Sequence, residues 1–147
     1  MRIKEFLTEL GDKKSPYFKY HNNEFLSILS TGHELKVTFS RPTTLPIRNA
    51  LEIEFTVDNS HSLTNHGNQF EVFSTVLNIL QHELFKQLTE NDKHVIFTAD
   101  MFEQSRVSFY TKKVVPLISK LLSNEWQYSG EEEDTHFHEM MFIWSRK

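Results

Sequence analysis

Residues 63–70 read LTNHGNQF and run straight into EVFSTVLNIL, where apolar residues recur at helical spacing. A glycine just ahead of a helix start has a plain chemical use. The first turn of a helix exposes unpaired N–H groups and carries a partial positive charge, so it attracts a phosphate. Gly67 lets the backbone approach such a group closely. The candidate binding segment is therefore Asn65, His66, Gly67, Asn68, Gln69 and Phe70, with His66, Asn68 and Gln69 adding side-chain donors. The same residues also read as a turn ahead of an N-cap at Asn68. Glu71 bears on both readings, because a carboxylate in the first turn can satisfy those N–H groups itself and repel a phosphate.

Three other sets of residues could do chemistry. Tyr110, in SRVSFY, carries a phenol suited to proton donation. It also fits the apolar stripe of Val107, Val114 and Leu117, which would make it a core aromatic. Glu52 and Glu54 alternate with apolar residues, so they share one face of a strand. A carboxylate there can deprotonate an amine if its surroundings raise its pKa, and it can equally be the exposed face of a sheet. His136 and His138, in THFHE, point to one side of a strand, near Glu133 and Asp134. Two histidines begin a zinc site, but no third ligand has a compelling spacing, and the expectation is a polar face with no metal. The GEEED run before them reads as a solvated hairpin tip.

These residues need elements to position them. Ile3, Phe6, Leu7 and Leu10 predict a short helix over 2–10, ending at Gly11. Residues 17–30 fit either period. Leu35, Val37 and Phe39 alternate with polar residues, as do Leu51, Ile53, Phe55 and Val57, so two strands with one buried face each are expected. Arg41 to Pro46 contains two prolines and reads as a loop. Phe73, Leu77, Leu80, Leu84 and Leu88 predict a helix over 71–88, with Asn78, Gln81 and Lys86 facing out. His94–Ala99 is a short apolar strand. Glu103–Leu122 reads as a helix that Pro116 should kink or divide. Trp126–Tyr128 and Phe137–Trp144 close the chain as strands. A strand, helix, strand order implies parallel neighbours joined by a right-handed crossover, here Leu51–Val57 and His94–Ala99.

Composition sets the outer bounds. The chain has 147 residues, which suits one domain over 1–147 with a substantial core. Phenylalanine occupies 13 positions, so that core should be rich in aromatics. A formal net charge of −4 lacks the basic footprint of a nucleic-acid binder. The absence of cysteine excludes disulfides and thiolate zinc sites, and it fits a reducing cytoplasm. No stretch reaches the roughly 18 apolar residues of a membrane span, and MRIKEFLTEL is no signal peptide. The expectation is a soluble, cytoplasmic, single-domain protein that binds neither nucleic acid nor membrane.

The order of elements, with the LTNHGNQF loop and the SRVSFY segment, resembles the GCN5-related N-acetyltransferase family over residues 35–147. The resemblance implies an α/β (α+β) domain with a mixed, largely antiparallel sheet flanked by helices. It implies acetyl-CoA as cofactor, its pyrophosphate wrapped by the loop at the helix start. The partner would be a small amine or a protein amine. In this reading Glu54 or Glu52 deprotonates the amine, and Tyr110 protonates the departing thiolate. A backbone N–H at the end of the Leu51–Val57 strand steadies the oxyanion. More narrowly, FEVFSTVLNIL and SRVSFY look like segments of small acetyltransferase-like proteins of tailed phages, which would place the chain in a host cytoplasm or a virion. The family's loop usually reads Arg or Gln, two residues, Gly, one residue, then Gly or Ala. With Gly67 as the first glycine, Thr64 and Gln69 fill the other places; with Gly67 as the second, Asn65 and Ser62 do. The alternative is a non-catalytic protein of the same fold, acting as a binding or virion-associated protein.

Overall fold

The computed structural model describes residues 15–43, 47–58, 69–100, 110–134 and 139–147. They contain β1 (Phe18–His21), β2 (Glu24–Ile28), β3 (Glu34–Ser40), β4 (Ala50–Val57), α1 (Gln69–Gln87), β5 (His94–Asp100), α2 (Val115–Leu122), β6 (Trp126–Asp134) and β7 (Glu139–Arg146). The strands form one sheet in the order β1-β2-β3-β4-β5-β7-β6. β4 and β5 run parallel, with Ala50 opposite His94 and Ile53 opposite Phe97, as the helical segment between them requires. The pairs β1–β2, β2–β3, β5–β7 and β6–β7 are antiparallel. The fold is thus α/β (α+β) with a mixed, largely antiparallel sheet. Among the described residues no helix is long and apolar enough to cross a membrane.

The chain divides into two compact units, Met1–Phe39 with Glu54–Leu88, and Ser40–Ile53 with Thr89–Lys147. In the first, β1 and β2 form a hairpin across Asn22–Asn23, residue types that favour turns. Asn23 Nδ2 donates to Phe39 O at 2.9 Å, which ties the turn to β3. The ambiguous stretch before residue 30 is therefore two strands. Its period of two is hidden because Phe25, Leu26 and Ser27 are all buried in succession. β3 shows the expected alternation, with Leu35, Val37 and Phe39 buried. On α1, Phe73, Leu77, Leu80 and Leu84 are buried while Gln81 and Lys86 are exposed. Phe73 meets Phe55 edge-on at 5.8 Å, and Phe25 meets Phe39 likewise at 5.9 Å.

In the second unit, Leu51, Ile53, Val95, Phe97, Phe142 and Trp144 are buried and share one sheet face by register. Trp144 Nε1 donates to Ser119 Oγ of α2 at 2.9 Å on that face. The opposite face carries a smaller apolar cluster of Ala50, Ile96, Met141 and Ile143, with Ile47 packed against it. One expectation holds and one is corrected here. The helix expected to Leu122 is divided near Pro116, as expected, with a π-helical turn over Tyr110–Val114 giving way to α2 at Val115. Pro116 has no N–H and crowds the preceding turn, and the wider turn ahead of it relieves both demands. The GEEED run is strand, not hairpin tip: Glu131 pairs with Phe142 and Asp134 with Glu139. A strand at the sheet edge tolerates carboxylates on both faces, so its alternation leaves no trace in an all-acidic run. The helix expected over 2–10 lies outside the described residues.

Candidate functional site

α1 begins at Gln69, two positions after Gly67 in the sequence. Asn65, His66, Gly67 and Asn68 lie outside the described residues, as do the side chains of Gln69 and Phe70. Glu71 is well placed. It is 6% exposed and turned inward. Its carboxylate accepts hydrogen bonds from Ser15 Oγ at 2.6 Å, Ser30 N at 2.9 Å and Ser30 Oγ at 2.8 Å. One turn later, Thr75 Oγ1 donates to Glu71 O at 2.7 Å and accepts Ser15 N at 2.9 Å. Burial pushes the Glu71 carboxyl up, but the bonds from Ser15 and Ser30 outweigh it and hold the group below the ordinary glutamate value. The result is an ionised carboxylate at the positive end of the helix, tying residues 15 and 30 to it.

Glu52 and Glu54 occupy one face of β4, as their spacing requires. Neither is on an exposed face. Glu52 is 6% exposed and lies opposite Ile96, while Glu54 is half-buried. Tyr110 is 3% exposed and opens the π-helical turn. Its ring stands edge-on to Phe97 at 5.6 Å and to Phe142 at 6.1 Å. These aromatic contacts anchor it in the core of the second unit. His136 and His138 lie outside the described residues.

Asp92 is the polar centre that sequence reading missed. It is 2% exposed and accepts Arg41 Nε on Oδ1 and Arg41 Nη2 on Oδ2, both at 2.8 Å. Thr89 N donates to Oδ2 at 2.8 Å and Thr89 Oγ1 at 3.2 Å. Burial pushes this carboxyl up too, and the Arg41 fork with the Thr89 donors brings it below its ordinary value. Arg146 then binds the Asp92 and Thr89 carbonyls at 3.0 and 3.1 Å, its guanidinium lying 4.5 Å from the Trp126 ring centre. A cavity of about 580 Å³ is lined by Arg41, Arg48, Asn49, Asn91 and Asp92. TENDK reads as an ordinary turn, and nothing in it points to an arginine fifty-one positions earlier.

No protein-family model matches the sequence, and no curated protein matches it. Among solved structures, the fold is similar to the acetyltransferase of GNAT family from Streptococcus pneumoniae, at 11% sequence identity and a TM-score of 0.38. The alignment covers 86% of this chain and 68% of that one.

Proposed function

We propose that the protein is an N-acyltransferase that carries an acyl group from an acyl-CoA, acetyl-CoA in the first instance, to a small amine or a protein amine. The sequence resemblance supports this reading, and one structural observation carries it. The parallel β4–β5 pair is joined through a helix that starts two residues after Gly67, as a loop that wraps a pyrophosphate demands. The cofactor would supply the thioester. The N–H groups at the start of α1, with the Asn65–Phe70 segment, would hold its phosphates. Glu52, enclosed on the sheet face opposite the one Tyr110 packs on, or the half-buried Glu54, would take the proton from the amine. Tyr110, held by Phe97 and Phe142, is the proposed proton donor to the leaving thiolate.

One observation favours a second reading, a non-catalytic binding or virion-associated protein of this fold. Glu71 is inward and ionised in the first turn, and the loop before it has a single glycine. A thermal-shift titration with acetyl-CoA separates the two. Ligand at one hundred times its dissociation constant should stabilise the protein by about 2.7 kcal/mol. Gly67→Val should abolish that shift by blocking close backbone approach, without disturbing α1. Thiol release from acetyl-CoA in the presence of an amine panel should fall at least tenfold in Tyr110→Phe. No shift at millimolar acetyl-CoA would hand the case to the second reading.

A further inference from the structure

The second unit carries another polar feature, on the sheet face opposite α2. β6 contains a bulge: Tyr128 pairs with Trp144 and Gly130 with Ile143, so Ser129 is the extra residue. Gly130 permits it with a φ of +124°, a conformation that side chains rarely adopt. Ser129 lies on the Ser145 side of the sheet, where its hydroxyl meets Ser145 Oγ at 2.6 Å, and Ser145 Oγ meets His94 Nδ1 at 3.0 Å. Three strands thus contribute one continuous hydrogen-bonded chain.

That chain borders a cavity of about 600 Å³, inside the range of roughly 300–1,000 Å³ typical of small-molecule sites. Ile47 and Ile143 supply its apolar wall, and both belong to the cluster on this face. Its charges are of both signs. Arg48 lines it and has no ion-pair or hydrogen-bond partner among the described residues. Glu131 and Glu132 line it too, but they part company. Glu131 pairs with Phe142 on the helix-covered face, where Thr111 Oγ1 reaches its Oε1 at 3.4 Å. Its charge there, after burial, helps push the Tyr128 phenol up to about 12. Glu132 pairs with Met141, on the Ile143 side, so its carboxylate belongs to the cavity.

We infer that this cavity binds a small zwitterion, an amino acid with an apolar side chain. Its carboxylate is drawn to Arg48 and its ammonium to Glu132. The Ser129–Ser145–His94 chain offers neutral hydrogen bonds between them, and the side chain lies on Ile47 and Ile143. A pure anion leaves Glu132 facing like charge, and a pure cation does the same to Arg48. A wholly apolar molecule strands the hydroxyl chain. The inference does not rest on acyl transfer: an amino acid that binds while acetyl-CoA does not would sustain the first and sink the second.

Isothermal titration calorimetry of the full chain tests it, with alanine, valine, leucine and phenylalanine as probes. At least one should bind. The two truncated forms of the best binder should each bind at least tenfold more weakly; for leucine they are 4-methylpentanoate and 3-methylbutylamine. Arg48→Gln should weaken the amino acid at least tenfold and strengthen the amine. Glu132→Gln should weaken the amino acid and strengthen the carboxylate. Arg48 and Glu132 are both exposed, so circular dichroism should show unaltered folds. Silence with all four amino acids overturns the inference. So does a carboxylate that binds as tightly as its amino acid, or an Arg48→Gln protein that binds like wild type.

Discussion

Glu71 in the first unit and Asp92 in the second are both buried, and the two are held by different means. Among the described residues Glu71 meets neutral donors, the Ser15 hydroxyl and the Ser30 hydroxyl and N–H. Asp92 is gripped by a guanidinium fork, with the Thr89 N–H and hydroxyl in support. In both, hydrogen bonding overcomes the desolvation that burial imposes. The difference lies in redundancy. The charge of Glu71 is shared among donors from two residues, so losing one leaves others. Asp92 depends on a single arginine, without which a buried charge would have only dipoles to face. Arg41→Ala turns Asp92 into something like Glu71, which makes it the sharpest test of the comparison.

Arg41→Ala should therefore have the largest effect, a loss of about 2–3 kcal/mol in chemical denaturation. That is at or below the usual figure for breaking a buried pair, because Arg41 itself is 45% exposed and water screens its end. A loss under 1 kcal/mol would mean that the Thr89 donors suffice and that the two carboxylates are equivalent. Glu71→Ala should follow at about 2 kcal/mol, since it strands the Ser15 hydroxyl and the Ser30 N–H at once. Ser15→Ala should cost only about 1 kcal/mol, the value of one replaceable bond. If Ser15→Ala costs as much as Glu71→Ala, the redundancy argued for Glu71 is absent.

Acid should act on both carboxylates in the same direction. Each ionises more readily in the folded protein than in the unfolded chain, so the unfolded chain binds more protons as the pH falls. Their stabilising contribution is complete above about pH 4–4.5, the ordinary carboxylate range, and is lost as the pH drops through the lowered folded values. Thermal midpoints measured from pH 6 to pH 2 should show this loss. In Arg41→Ala the acid loss should be smaller and should end at higher pH, because the Asp92 carboxyl is held down less, whereas Ser15→Ala should change it less. Tyr17 offers the mirror image and the smallest effect. Burial, then the bond to Glu83 at 2.7 Å, pushes its phenol up to about 12. That contribution is present below pH 10 and disappears between pH 10 and 12. Tyr17→Phe should cost about 1 kcal/mol at pH 7, and the gap to wild type should close as the pH approaches 12.

Where apolar and polar side chains alternate in the sequence, the fold was legible in advance. Leu35, Val37 and Phe39 announced β3, Leu51 to Val57 announced β4, and Phe73, Leu77 and Leu84 announced α1. The parallel pairing of β4 with β5 followed from the helix between them. Where burial is two-sided or exposure is complete, the pattern vanished, as at Phe25–Ser27 and in the acidic run of β6. Pro116 marked a break in its helix but not its form, because a π-helical turn depends on how the preceding residues pack.

The candidate site divides along the same line. Spacing alone placed Glu52 and Glu54 on one face, since that follows from a backbone period that holds in any context. It could not say that Glu52 is enclosed or that Tyr110 stands between Phe97 and Phe142. It could not say that Glu71 turns inward to Ser15 and Ser30. Nor could it pair Arg41 with Asp92, or link Ser129, Ser145 and His94. Those contacts join residues far apart in the chain. A local pattern records which way a side chain points along its own strand or helix, and only the packed fold decides what it meets there.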